Sequence, residues 1–235
     1  MTFLSMMENV SDELGLPRIT AVIGSTRTDV RQLVALANRE GKELARRFDW
    51  QKLHKEFTHT TLAQEDQGAV STIMAGVNWP MTQTLWNRTQ QDFTPGSLSP
   101  QSWQLLKAAM VTGPYSSFRI RGGKLLMIPA PTAGQTLAGE YVSKYWCESS
   151  GGTDQDEWLA DTDVGILDED LMEQGIIWRW LRKEGLEWLS LRDDYEMSVK
   201  ERAAHDVPGE TKYLDGEGCD DPVYSIRAPD GSWSL

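Results

Sequence analysis

A glycine pair inside an alternating apolar stretch constrains the fold of this chain more than any other feature of its sequence. The stretch is FRIRGGKLLMIPAP, residues 118–131, and Gly122-Gly123 separates two runs, 116–121 and 124–128. A two-residue Gly-Gly loop supplies the positive φ angles that a type I′ hairpin turn requires. The prolines after the second run end it, because proline donates no hydrogen bond to a strand ladder. The stretch therefore predicts an antiparallel hairpin and not a disordered RGG element that binds RNA.

The predicted register gives this hairpin an apolar face and a cationic face. Phe118 and Ile120 point toward the core, whereas Arg119, Arg121 and Lys124 share the other face. Like charges at facing positions destabilise a sheet slightly. A row of three cations in an acidic chain is therefore a candidate docking patch for an acidic partner, and the alternative interpretation is an ordinary solvated face.

Helical periodicity occurs on both sides of this β region. The second predicted helix repeats apolar residues at i, i+3, i+4 and i+7, with Asp29 as its N-cap. The fourth is apolar over a very wide arc, so other parts of the protein must cover it on both sides. On it, Trp178 and Trp180 point about 200° apart, which predicts one in the core and one at a seam between protomers or domains. The predicted helices span residues 3–14, 29–48, 100–110, 167–184 and 186–205.

These elements predict an α+β fold that is mainly a helical bundle. A small antiparallel β domain is inserted between the N- and C-terminal helices, and an extended C-terminal tail follows. Within it, residues 56–62 predict a strand, 64–80 a long loop, and 136–146 a third strand that completes a meander with the hairpin. The predicted domains are N-terminal helices at 1–54, a β domain at 55–160 with an inserted helix near 99–110, C-terminal helices at 161–205, and a flexible acidic tail at 206–235.

The charge balance restricts the function classes. The chain of 235 residues carries 23 Lys and Arg against 35 Asp and Glu, a net charge of −12. Phosphate neutralisation supplies most nucleic-acid affinity, so a general nucleic-acid binder is not expected. No apolar run approaches the roughly 20 residues of a membrane span, and no signal peptide is expected from the first residues. Cys147 and Cys219 lie far apart and are expected to be free thiols in a reducing compartment.

One segment resembles the start of an enzyme. ITAVIGSTR, residues 19–27, places Gly24-Ser25-Thr26-Arg27 between an apolar run and a helix, as in flavodoxin-like FMN-dependent reductases that hold the FMN phosphate there. A reductase is therefore the alternative function. The acids at 161–170 suggest either a divalent-metal site or helix capping, and capping is the favoured interpretation. We expect no catalytic residue, no cofactor and no metal.

Seven further segments form an ordered series over most of residues 4–200. They are DELGLPR (12–18), VRQLVALANREGKELARRFDW (30–50), LWNRTQ (85–90), LSPQSWQLLKA (98–108), FRIRGGKLLMIPAP (118–131), EYVSKYW (140–146) and ADTDVGILDEDLMEQGIIWRW (160–180). Together they resemble the head-to-tail adaptors of tailed bacteriophages and prophages, also called neck or connector proteins. The resemblance extends to the tubular tail protein A or gatekeeper group of podoviruses.

This resemblance implies a structural virion protein without enzymatic activity. Such adaptors form a ring of twelve copies under the portal, extend the DNA channel and present a docking surface for tail proteins. The implied partners are further copies of the chain, the portal protein, downstream tail or nozzle proteins, and genomic DNA that passes without specific binding, with no membrane. The implied location is the virion neck or tail, and the host cytoplasm during assembly. Another neck component, a stopper or head-completion protein, remains an alternative.

Candidate partner-binding residues follow from the hairpin, the wide apolar helix and the tail. The tail is acidic and has few large apolar side chains, so it is predicted to order only on binding. Its aromatic and leucine side chains are the expected anchors. The candidates are Arg119, Arg121, Lys124, Trp178, Trp180, Tyr213, Leu214, Tyr224 and Trp233.

Overall fold

The computed structural model describes residues 1–80, 84–109, 113 and 115–206. Its helices are α1 (Phe3–Glu13), α2 (Thr28–Arg47), α3 (Val70–Ile73), α4 (Pro100–Ala108), α5 (Glu169–Glu184) and α6 (Leu189–Asp206), with a 3₁₀ turn at Gln51–Leu53. Its strands are β1 (His54–Thr60), β2 (Asp66–Ala69), β3 (Val77–Pro80), β4 (Thr84–Asn87), β5 (Asp92–Pro95), β6 (Ser117–Arg121), β7 (Lys124–Ile128), β8 (Thr136–Ser143), β9 (Cys147–Glu148), β10 (Asp154–Gln155) and β11 (Val164–Gly165). No helix of this described part is both long enough and apolar enough to cross a membrane.

The fold is α+β, but the prediction of a mainly helical bundle with a small β domain is wrong. In the described residues, eleven strands form three antiparallel sheets beside six helices. The region predicted as a long loop contains all of β2 and β3, and two more four-residue strands follow it. Strands this short have too few alternating positions to give a clear period. The sequence pattern therefore underestimated the strand content.

β8 is the central strand of the largest sheet. The strand order is β1-β8-β4-β5, and β3 also pairs with β8. The predicted meander of β8 with the hairpin is therefore wrong. The hairpin of β6 and β7 instead takes β2 as its third strand. The sequence did not predict this partner, because β2 lies in the region that was predicted to be a loop.

The hairpin itself is confirmed in the predicted register. Arg121 lies opposite Lys124 and Phe118 opposite Met127. Gly122 and Gly123 have φ angles of 59° and 71°, as a type I′ turn requires. Phe118 is fully buried, so the apolar face of the hairpin is directed into the core as predicted.

Replacing Gly123 with valine should destabilise the protein by about 1–3 kcal/mol, because a β-branched residue is strained at positive φ. No heavy atom lies within 4 Å of the Cβ position, so the loss comes from backbone conformation and not from a clash. Urea denaturation measures the effect. Gly151→Val is the control, because Gly151 is outside the left-handed region. Equal stability of the two variants would contradict this explanation.

Two hydrophobic clusters divide the structure into two lobes. The helical lobe comprises residues 1–53 and 144–206, and its core is formed mainly by α1, α2, α5 and α6. The β lobe comprises residues 54–143, and its core lies between the five-stranded sheet and the hairpin sheet. Trp146, Cys147 and Trp158, within the predicted β domain, pack in the helical lobe. The chain enters the β lobe through β1 and leaves it through β8. Near this crossing, His54 of β1 and Val142 of β8 face each other.

The predicted cap of α4 is confirmed and that of α2 is wrong, while α5 and α6 begin two and three residues later than predicted. Ser99 caps α4 and Asp168 caps α5 through side-chain oxygens that accept backbone N–H groups. Asp29, the predicted cap of α2, lies inside its first turn, and Arg27 occupies the cap position without a side-chain cap. Asp29 instead pairs with the Arg27 guanidinium, which holds the pKa of this carboxyl below its ordinary value.

Candidate functional site

The cationic row on the hairpin is present but partly neutralised. The Lys124 ammonium donates to the Asp66 carboxylate on the neighbouring strand β2. This hydrogen bond lowers the pKa of Asp66. Within the described residues, Arg119 and Arg121 have no ion-pair partner. The row therefore offers two guanidinium groups that no described carboxylate pairs with, and its role in docking stays a prediction.

Trp178 and Trp180 are both buried within a single chain, with 8% and 7% of their surface exposed. Trp178 stacks on Trp188, with ring centroids 6.0 Å apart, and lies beside Tyr195 of α6. Both indoles therefore anchor the helical lobe. A contact of either one with a second protomer stays a prediction. Tyr213, Leu214, Tyr224 and Trp233, the candidates in the tail, lie outside the described residues.

The Gly24 loop lacks the geometry of a flavodoxin-like phosphate site. Residues 19–27 form no strand, and the sheets of the described part are antiparallel. The Asp161 carboxylate accepts hydrogen bonds from the backbone N–H groups of Val22 at 3.1 Å and Ile23 at 2.7 Å. A carboxylate of the chain thus takes donors that a phosphate would need. The structure gives no support to an FMN site at Gly24-Ser25-Thr26-Arg27.

The acids between 161 and 170 hold backbone in place. Asp163 is buried, and its carboxylate accepts from the N–H groups of Leu159 at 2.7 Å and Ala160 at 2.8 Å. Asp168 caps α5. Among the described residues, no group of three or more histidine, cysteine or acidic side chains is placed to hold a metal ion.

Cys147 is a buried thiol that does not resemble a nucleophile. Its surface is fully covered, and burial raises the pKa of the thiol to about 12. At pH 8 the thiolate fraction of Cys147 is therefore about a thousandfold lower than that of an ordinary cysteine. We expect Cys147 to resist alkylation in the native protein and to react promptly in denaturant, as measured by peptide mapping of timed samples. Rapid native alkylation would contradict the burial.

A groove of about 670 Å³ between α2, α5 and α6 was not predicted from the sequence. Six cations and two acids contribute to its lining, in a chain whose net charge is −12. The cations are Arg39, Arg46, Arg47, Arg179, Arg182 and Lys183. We call this feature the basic groove. Its sequence signal is a basic pair at the end of α2 and another at the end of α5, which alone indicates only complementation of the helix dipoles.

Half of these cations have no ion-pair partner among the residues that the structure describes. Arg39 pairs with Glu43, and Arg47 pairs with Glu196. Within the described part of the chain, no carboxylate lies within ion-pair distance of Arg46, Arg182 or Lys183. The Arg182 guanidinium stacks over Trp188, with 5.2 Å to the ring centroid. The basic groove is therefore a surface that attracts anions.

A buried charge network forms the floor beside the basic groove. Glu40 of α2 has no exposed surface and accepts hydrogen bonds from Arg179 and from the Tyr195 hydroxyl. Burial raises the pKa of Tyr195, so this hydroxyl stays protonated and donates. Gly175 provides the room, because a Cβ there would lie 2.2 Å from the Glu40 carboxyl carbon. The network fixes α2, α5 and α6 relative to one another.

Two exposed apolar surfaces were also missed at the sequence level. On the outer face of the five-stranded sheet, Trp86 and Phe93 face each other across β4 and β5 and are 43% and 41% exposed. We call them the aromatic pair. Leu186 and Leu189 are exposed where the chain turns from α5 into α6, and we call them the leucine corner.

Comparison with known proteins gives no match for this chain, either among protein-family models or among curated proteins.

Proposed function

We propose that this protein is a structural adaptor of a tailed-phage virion, which forms a ring under the portal and presents a docking surface for tail proteins. The ordered resemblance over residues 4–200 suggests this class. The structural observation that carries the proposal is the presence of two unlike apolar surfaces, one on each lobe. They are the aromatic pair on the β lobe and the leucine corner on the helical lobe.

Two unlike surfaces on one chain favour a ring over a simple dimer. A two-fold dimer uses the same patch on both subunits, whereas a head-to-tail contact uses two different patches and forms a ring when the rotation between copies closes. A few side chains, Trp often among them, contribute most of the binding energy in protein interfaces. The aromatic pair and the leucine corner are thus the proposed contact surfaces between neighbouring copies in the ring.

The outer face around the aromatic pair suits a protein contact. Ala138 lies opposite Trp86 on the same sheet face and is buried, so this face is apolar at that point. Arg88 pairs with Glu56 near this point. Charged residues beside an apolar centre are the usual anatomy of an interface.

The test is reconstitution of the full chain with the portal protein encoded by the same genome. Electron microscopy of the mixture should show a ring of twelve copies attached to one end of the portal. Replacing both Trp86 and Phe93 with alanine should weaken ring formation by roughly thirtyfold, about 2 kcal/mol per contact. The melting temperature should change little, because both side chains are already exposed.

Leu62→Ala is the matched control. Leu62 is 45% exposed, but it belongs to neither proposed surface, and this variant should assemble like the original protein. The proposal fails if the full chain never attaches to the portal. The assignment of the aromatic pair fails if the double variant forms rings at unchanged concentration.

A further inference from the structure

We propose that the basic groove binds the acidic C-terminal segment of the same chain, residues 207–235. The proposal concerns one chain by itself and does not depend on ring assembly. It rests on the charge of the basic groove, the charge of the segment, and the position at which α6 ends.

The basic groove requires an anionic occupant. Its lining carries six cations against two acids, and both acids are already paired. Arg46, Arg182 and Lys183 lack carboxylate partners in the part of the chain that the structure describes. Like charges that converge on one concave surface repel each other, so an occupant with several carboxylates would stabilise the arrangement.

The segment 207–235 has the required charge. It contains six acids and two bases, hence a net charge of −4. The acids are Glu210, Asp215, Glu217, Asp220, Asp221 and Asp230, and the bases are Lys212 and Arg227. Tyr213 and Leu214 lie between the first two acids, so the segment also carries apolar side chains that can pack against an aromatic lining.

The segment begins beside the basic groove. The carboxylate of Asp206, the last residue of α6, accepts a hydrogen bond of 2.7 Å from the backbone N–H of Gln51. Gln51 comes four residues after Arg47, which ends α2 and lines the groove. The chain therefore leaves α6 next to the cationic end of α2.

The distances allow the segment to fill the groove. The stretch of α2 that lines it, from Leu36 to Arg47, is about 17 Å long at 1.5 Å per residue. An extended chain covers about 3.5 Å per residue, so five residues span this stretch. A segment tethered at one end also has a high effective concentration at a nearby site, of millimolar order for a short flexible tether.

The basic groove suits this segment better than the cationic row of the hairpin does. Asp66 already neutralises Lys124 in that row. The row also lies on the β lobe, whereas α6 ends in the helical lobe. Matched charge reversals on the two surfaces can thus show which of them binds the segment.

The test uses the full chain with a nitroxide spin label on Cys219, which lies within the segment. Cys147 is buried with its pKa raised to about 12 and should remain unlabelled. We expect loss of the indole N–H NMR signals of Trp178 and Trp188, which recover when the label is reduced. The signal of Trp86, exposed on the β lobe, should persist and serves as the internal reference.

Two variants identify the surface that is occupied. Arg46→Glu with Lys183→Glu should restore both indole signals, because it reverses two unpaired cations of the basic groove. Arg119→Glu with Arg121→Glu should leave the signal loss unchanged. Raising the salt concentration to about 0.5 M should weaken the contact, because screening shortens the range of the attraction. Circular dichroism of each variant verifies that its fold is intact.

Other outcomes overturn the proposal. Persistent Trp178 and Trp188 signals in the labelled chain would exclude occupancy. Signal loss that appears only when spin-labelled chains are mixed with isotope-labelled Cys219→Ser chains would identify the segment of a second copy instead. Binding of duplex DNA to the full chain that disappears in the Arg46→Glu, Lys183→Glu variant, with no effect of the Cys219 label, would identify nucleic acid as the occupant.

Discussion

Replacing Glu40 with alanine is expected to lower the free energy of unfolding by about 3–5 kcal/mol, since it leaves a buried guanidinium without its carboxylate. Glu40 is completely buried, and it accepts hydrogen bonds from both Arg179 and Tyr195. The cavity that the truncated side chain leaves would add to the loss of stability. Urea denaturation followed by circular dichroism of the helices measures the change.

Glu43→Ala is the matched control for Glu40→Ala. Both acids belong to α2 and both contact Arg179, but the Glu43 side chain is 43% exposed. Surface ion pairs contribute about 0–1 kcal/mol, so Glu43→Ala should cost far less. Replacing Glu40 and Arg179 with methionine and Tyr195 with phenylalanine should recover most of the stability, because an apolar network leaves no unpaired charge. Equal losses for the two single variants would contradict this assignment.

Trp146→Ala is the second substitution with a large expected effect, about 3–5 kcal/mol. Trp146 is fully buried and packs edge-on against Trp158, with ring centroids 5.2 Å apart. Gly41 of α2 allows the indole to approach, because a Cβ at that position would lie 2.4 Å from the ring. Trp146 thus packs the segment that follows β8 against α2 in the core of the helical lobe.

Trp86→Ala is the control for Trp146→Ala. It removes the same side chain from an exposed position, so its effect on the urea midpoint should be small. Gly41→Ala should also be destabilising, since α2 or the Trp146 ring must move. If Trp146→Ala unfolds at the urea concentration of Trp86→Ala, Trp146 is not the core anchor described.

Short sequence patterns predicted the elements that depend only on neighbouring residues. The hairpin register follows from Gly122-Gly123 and the alternation around it, and the Ser99 cap and most bounds of the long helices follow from short-range rules. Strands of two to four residues carry too little periodicity, which explains the missed content of the β lobe. The third strand of the hairpin sheet comes from a distant segment, β2, and no local rule identifies such a partner.

The candidate surfaces were less predictable, because they combine residues far apart in the chain. The basic groove joins cations from the ends of two helices separated by more than a hundred residues. Glu40 and Arg179 did leave a signal, since each is a charged residue on the apolar stripe of its helix. Two such charges of opposite sign indicate a buried pair. The aromatic pair can be recognised only when the strand register that places Trp86 opposite Phe93 is known.

The paired crossing at His54 and Val142 has a mechanical consequence. A lobe that is joined to the rest of the protein by one strand can rotate about that strand, whereas two hydrogen-bonded strands resist such torsion. Because β1 and β8 are paired along seven positions from this crossing, the two connections between the lobes leave the β lobe side by side and limit its twisting more than one connection would. A pulling force on the β lobe would therefore reach the helices through both strands at once.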